Sequence, residues 1–183
     1  MAGQPTLQGA RVRLRALEER DFARLVEIGA EPEVARWWPD IAVAELAQKA
    51  AGEEAATIGL TVEHEGRVVG MIQFHEETTP DFRHAGIDIF LASACHGQGL
   101  GVDAVRTLAR HLFEERGHHR VTIDPAAANE RAIRCYERVG FRRVGIMRRY
   151  WCDPAGEWRD GLLLDLLAGE LRAEAPPRAG PLP

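Results

Sequence analysis

Three glycines alternate in His96-Gly97-Gln98-Gly99-Leu100-Gly101. Glycines so spaced let a backbone turn tightly and present successive N–H groups. A helical apolar pattern begins at Val102, so these groups join the unpaired N–H groups of a helix N-terminus. Together they make an anion site suited to phosphate or pyrophosphate. No G-x-x-x-x-G-K-[ST] occurs, which excludes a P-loop. Gly99 to Ala104 also fits the G-x-G-x-x-A of a dinucleotide turn, with Asp124 placed downstream as a ribose acid. Two features oppose a nicotinamide cofactor: the preceding strand ends several residues before Gly99, and the motif is central in a short chain.

Two acids stand out. In Gly86–Leu91 (G-I-D-I-F-L), Ile87, Ile89 and Leu91 share one strand face, and Asp88 and Phe90 the other. In Arg120–Asp124, Val121 and Ile123 oppose Thr122 and Asp124. Two carboxylates on neighbouring strands would hold a cation by charge-assisted hydrogen bonds. Asp81, in a loop just upstream, is a further ligand candidate. Trp37 and Trp38 are adjacent on a short helical turn, so their side chains diverge and at most one should meet a ligand. Seven histidines show no H-E-x-x-H and no paired ligand spacing, so no metal is expected. His118-His119 reads as a solvated turn. Cys95-His96 would suggest a thiol nucleophile, but no orienting acid is evident beside it.

The elements that must position these groups follow from periodicity. Val12 and Leu14 alternate with arginines as a strand. Leu17–Ile28 and the Ala- and Glu-rich Ala42–Ala56 read as helices, with a short turn of helix around Val34–Trp38 before Pro39. Thr57–Glu63 and Arg67–His75 form a hairpin about Glu65-Gly66. Gly86–Leu91, Arg120–Asp124, Phe141–Met147 and Leu162–Leu167 read as strands. Val102–Arg116 and Asn129–Val139 read as helices, the second ended by Gly140. The order β-α-α-β-β-β-α-β-α-β-β implies a mixed α/β sheet with flanking helices.

The 183 residues suit one domain, read here as 11–172 between a flexible lead (1–10) and a proline-rich tail (173–183). With 45% hydrophobic and 28% charged residues, wholesale disorder is excluded. No run approaches the ~20 apolar residues of a membrane span, and Met1–Ala10 lacks a signal-peptide pattern. Three cysteines without a C-x-x-C fit a reducing cytoplasm. The net charge of −5 argues against a nucleic-acid partner.

Asn129 to Phe141 reads N-x-x-A-x-x-x-Y-x-x-x-G-F. With the glycine loop, this resembles the GCN5-related N-acetyltransferase superfamily, roughly from Val12 to Leu167. The resemblance implies a mostly antiparallel central sheet with one splayed parallel strand pair. It implies acetyl-CoA as cosubstrate, with pyrophosphate on the backbone of His96, Gly97, Gln98, Gly99, Leu100, Gly101 and Val102. His96 stands where the family usually has Gln or Arg. Asn129 and Ala132 would meet the pantetheine arm, the backbone of Ile89, Phe90 and Leu91 the acetyl carbonyl and pantetheine, and Tyr136 the thioester sulfur. The basic stretch Arg142, Arg143, Arg148 and Arg149 is then either a solvated strand face or a steering surface for anionic CoA.

G-I-D at Gly86–Asp88, the G-x-G-L-G loop, T-I-D-P at Thr122–Pro125, N-x-R-A-I-R-C-Y-E at Asn129–Glu137 and the Trp37-Trp38 pair look more narrowly like aminoglycoside 6′-N-acetyltransferases. This implies a cationic aminoglycoside partner, a role in antibiotic resistance, and acetylation at the 6′-amine, with the 2′-amine left open. Asp88 would be the base candidate, with Asp88, Asp124, Asp81, Trp37 and Trp38 contacting substrate. A carboxylate titrating near ~4 is a weak base for an ammonium, so Asp88 would act through water or mainly orient the amine. Strand N–H groups would stabilise the oxyanion, and the Tyr136 phenol would protonate the leaving sulfur. Val12–Trp38 also resembles the opening of ribosomal-protein N-terminal acetyltransferases, which makes peptide N-termini a second reading. A non-catalytic acyl-CoA-binding module is a third. The expected protein is a cytoplasmic monomer or homodimer with no metal, nucleic-acid or membrane partner.

Overall fold

The structure, a computed structural model, describes residues 4–38, 41–51 and 57–173. Eight strands form one sheet: β1 (Leu7–Gln8), β2 (Arg13–Ala16), β3 (Thr57–His64), β4 (Arg67–Glu77), β5 (His84–Leu91), β6 (Arg120–Ile123), β7 (Arg142–Cys152) and β8 (Trp158–Leu167). Their spatial order is β1-β2-β3-β4-β5-β6-β8-β7. Five helices flank the sheet: α1 (Glu19–Gly29), α2 (Pro32–Ala35), α3 (Val43–Ala51), α4 (Leu100–Glu114) and α5 (Glu130–Val139). All pairings are antiparallel except β5 with β6. That parallel contact is brief, Ala85 opposite Val121 and Gly86 opposite Thr122. From Ile87 to Leu91 one edge of β5 therefore has no strand beside it, and its backbone groups are left to bind something else. The mixed sheet with a splayed parallel pair is as the sequence implies.

Period-two alternation divides the core between the two faces. On one face Leu14, Leu60, Ile72, Phe74 and Ile87 pack under α4 and α5. The α4 stripe of Val105, Leu108, Ala109 and Leu112 is wholly buried there. On the other face Met71 and Phe90 meet Phe22, Leu25 and Ile28 of α1, with Val34 and Leu46 beside them. Asp88 and Phe90 share this second face, so Asp88 stands at the margin of an apolar layer.

The structure departs from the sequence reading in several places. Leu7 and Gln8, within the expected flexible lead, pair with Leu14 and Arg13 and extend the sheet. The cause is Asp103 on α4. Its buried carboxylate accepts N–H bonds from Ala10 (3.2 Å), Arg11 (2.8 Å) and Val12 (3.0 Å), which turns the chain back onto the sheet. Asp103→Ala would strand these donors. The expected loss is about 2 kcal/mol, seen as a lower urea midpoint with an unchanged slope.

The last two strands run well beyond Phe141–Met147 and Leu162–Leu167. β7 is the outer strand, and nearly all its residues are exposed, so it carries no apolar alternation to read. His118 is not in a solvated turn. It is buried, with Nε2 2.6 Å from Glu76 Oε1, and Glu76 also pairs with Arg116. Only His119 is exposed. The end of the expected Ala42–Ala56 helix, Pro39 and residues 174–183 of the tail lie outside the described residues.

Candidate active site

Where β5 and β6 part, a cleft of about 700 Å³ opens. The glycine loop and the start of α4 close one end, α5 forms a wall, and the tip of β7 with Trp37 and Trp38 closes the other side. A 3₁₀ turn, Ser93–Cys95, joins β5 to the loop. Gly97 (φ 75°) and Gly99 (φ 83°) lie in the left-handed region, which explains glycine at both. Gly97, Gly99, Gly101 and Val102 line the cleft. Leu100 turns its side chain into the core, and the Gln98 amide donates to the Ala94 carbonyl at 2.6 Å, so neither residue lines the cleft. His96 Nε2 donates to the Leu91 carbonyl (2.9 Å), with Nδ1 3.4 Å from Glu33. The imidazole thus fastens the loop to the end of β5. Asn129 caps α5, its Oδ1 accepting the Ala132 N–H at 3.2 Å, and both residues face the cleft.

Asp88 and Asp124 both line this cleft, as do Ile89, Phe90, Leu91 and Tyr136. Gln73 on β4 donates Nε2 to Asp88 Oδ2 at 3.0 Å and so orients that carboxylate. Gly86, two residues before it, lies against the His75 ring opposite, and any side chain there would strike the imidazole. The glycine of G-I-D is thereby explained. Asp124 lies just past β6. Burial, and then the charge of Asp88, push its carboxyl above the usual range, while the Tyr150 hydroxyl bonds to it and His75 opposes the rise. The Tyr150 phenol is pushed up to about 12, chiefly because it donates to Asp124. Tyr136 is buried, its ring tilted on Phe141 with centroids 6.2 Å apart. Burial, with Cys135, Asp88 and Asp124 nearby, pushes its phenol far up, so it stays protonated through the neutral range.

A sequence model for the Acetyltransferase (GNAT) domain matches residues 11–142. The chain belongs to the GNAT acetyltransferase family. It is 35% identical over 159 residues to aminoglycoside N(6′)-acetyltransferase type 1 of Klebsiella pneumoniae, covering 73% of this chain and 75% of that one. Its fold is similar to RimJ of Mycobacterium smegmatis in complex with CoA-disulfide (TM-score 0.82, 25% identity, 92% and 90% of the two chains). It is also similar to AAC(6′)-Ib in complex with coenzyme A and kanamycin (TM-score 0.71, 27% identity, 87% and 96%).

For this acetyltransferase Asp81 and the tryptophan pair depart from the sequence reading, while Cys95 and the arginine stretch fall within it. Asp81 is exposed in the 3₁₀ turn Pro80–Phe82 and does not line the cleft. Trp37 and Trp38 both reach it, where at most one was expected. Past the short α2 the chain continues as a turn, with the Trp38 N–H on the Val34 carbonyl at 2.9 Å, and the two rings diverge within the cleft: Trp38 packs on Phe90 (5.1 Å between centroids) while Trp37 leans on Trp151 (6.4 Å). The Cys95 thiol is pushed up by burial and by Glu31, and the His96 ring is engaged elsewhere, so no activated thiol forms. Arg142 and Arg143 pair with Glu170 and Glu137, and all four arginines of that stretch are exposed outside the cleft, which makes them a solvated strand face. Among the described residues no cluster of His, Cys, Asp or Glu would hold a metal, and no helix is long and apolar enough to cross a membrane.

Sequence reasoning missed Gln73, Tyr150 and Trp151, because a pairing register and a strand tip bring them in. It also missed Arg131, Arg134 and Arg138, which line the cleft from α5. Their spacing of three and four was a legible signal of one basic helix face.

Proposed function

We propose that this GNAT enzyme transfers the acetyl group of acetyl-CoA to the 6′-amine of an aminoglycoside by direct attack in a ternary complex. The observation that carries the reading is one cleft holding an anion cradle, two carboxylates and a protonated phenol. The glycine backbone and the α4 N-terminus suit the pyrophosphate, and Arg131, Arg134 and Arg138 add positive charge. The β5 edge from Ile87 to Leu91 has no strand beside it and, apart from the Leu91 carbonyl that His96 holds, leaves its backbone to the pantetheine and to the oxyanion. Asp88 and Asp124 receive the cationic amine. The ammonium first sheds one proton to solvent by way of Asp88; the neutral nitrogen then attacks the thioester carbonyl and gives up its second proton toward Asp88. The C–S bond then breaks, and the sulfur takes a proton from Tyr136.

The 35% identity to an aminoglycoside N(6′)-acetyltransferase supports the sugar substrate. A stretch of 73 residues 34% identical to the N-alpha-acetyltransferase RimI of Mycobacterium tuberculosis supports a second reading, acetylation of peptide N-termini. The acid pair favours the polycation, since an N-terminus brings one charge only.

Thiol release from acetyl-CoA, followed across aminoglycosides with and without a free 6′-amine and across alanine-terminated peptides, separates the readings. Release is expected from drugs bearing that amine. Release confined to drugs lacking it would move the reaction to another nitrogen, the 2′-amine first. Release from peptides alone would sink the drug substrate, and silence with acetyl-CoA still bound would point to a binding module.

A further inference from the structure

Tyr150 reaches the site by an unusual route. Met147 pairs with Gly161 and Trp151 with Arg159, so Arg148, Arg149 and Tyr150 bulge opposite Asp160 alone. Arg149 has φ 50°, a left-handed conformation that is unfavourable for a non-glycine residue. Asp160 holds the bulge: its Oδ1 accepts the Arg149 N–H at 2.8 Å, and its carbonyl accepts the Ala127 N–H at 2.9 Å. Gly161 leaves room for the Tyr150 ring, since a Cβ there would lie 2.8 Å from Cδ1. The Pro125 carbonyl accepts the Leu162 N–H at 2.9 Å, which fixes the segment carrying Asp124 to the same strand. Bulges beside active sites re-aim side chains. This one turns Tyr150, still half exposed, toward the cleft that Asp124 and Asp88 also line, with its hydroxyl facing the Asp124 carboxylate.

We propose that Tyr150 is a positioning and specificity residue of the transfer site: its hydroxyl clamps the Asp124 carboxylate toward Asp88, so that the pair receives a polycationic amine in preference to a monoamine. The proposal rests on the polycation reading above. Asp124 faces Asp88 from β5, His75 from β4, Tyr136 from α5 and Tyr150 from β7. Burial and the charge of Asp88 disfavour the ionised form of Asp124, and the Tyr150 hydroxyl opposes them most, ahead of His75 and a backbone N–H. Loss of the hydroxyl should therefore favour the protonated, uncharged form of Asp124.

Tyr150→Phe keeps the ring and removes the hydroxyl alone. With kanamycin A, KM should rise about tenfold, the value of a hydrogen bond to a charged group, with KM for acetyl-CoA unchanged. The acid limb of kcat/KM should move to higher pH. With an alanine-terminated peptide, the change should be much smaller. Carbon-13 NMR of the aspartate carboxyls, with Asp124→Asn assigning the signal, should show the Asp124 midpoint higher in Tyr150→Phe than in the wild type. An unmoved midpoint, or equal losses on drug and peptide, would overturn the proposal. If the wild type acetylates no polycation, the substrate reading falls and the specificity claim with it, while the midpoint still decides whether Tyr150 clamps Asp124.

Discussion

Asp88→Asn should lower kcat/KM for the amine substrate by roughly 10²–10³-fold, within the usual range for removing a general base. The substitution is nearly isosteric, and asparagine Oδ1 can still accept the Gln73 Nε2 hydrogen bond now made at 3.0 Å. Folding and acetyl-CoA binding should therefore survive, the second checked by titration with CoA. Two things are lost together: a negative charge that draws the ammonium in, and the acceptor for the proton that nitrogen must shed. The first loss should raise KM, and the second should lower kcat. The carboxyl of Asp124 supplies an independent readout. Asp88 is one cause of its raised pKa, so removing that charge should lower the Asp124 midpoint, opposite in sign to the effect of Tyr150→Phe. Activity within threefold of the wild type would remove Asp88 from the chemistry and leave it as an oriented strand acid.

Why Asp88 was legible in the sequence, and Gln73 and Tyr150 were not, is a matter of range. Period-two alternation in Gly86–Leu91 is local, and it places Asp88 and Phe90 on one face without knowledge of any other strand. The alternate glycines are also local, because their left-handed φ values are a property of the loop itself. Gln73 depends on a register, Gln73 opposite Asp88, which no single strand reveals. Tyr150 depends on a three-residue bulge in an outer strand whose exposed residues give no periodic signal. The lead was misread for a similar reason, since the acid that folds it back lies more than 90 residues away on α4. The acid pair shows both cases at once. Its two faces were readable strand by strand, but the cleft between them exists because β5 and β6 pair at two positions and then part.

Tyr136→Phe should lower kcat by roughly 10²–10³-fold and leave both KM values nearly unchanged. The ring stays packed on Phe141, so the core around α5 keeps its shape. The hydroxyl makes no hydrogen bond within the protein among the described residues, and the side chain lines the cleft, so the phenol O–H is available to a ligand. Across the reaction, a bound ammonium loses two protons, one before attack and one as the C–N bond forms, while the sulfur gains one, so one proton goes to solvent. In the proposed reaction, Asp88 would take the protons that leave nitrogen, and Tyr136 would supply the one that reaches sulfur. A phenolate left beside two carboxylates would be unfavourable, because burial and the nearby charges that raise the Tyr136 pKa also oppose its anion. The transfer to sulfur is therefore late, driven by the charge building on a departing thiolate, and the phenol must then be reprotonated from solvent. The pH dependence follows with its sign. A phenol held protonated through the neutral range does not set the basic limb of the wild-type profile, so Tyr136→Phe should lower the whole kcat profile without moving that limb. A variant that loses the limb along with the rate would show the tyrosine ionising near neutrality. A variant with full kcat would hand protonation of the sulfur to water.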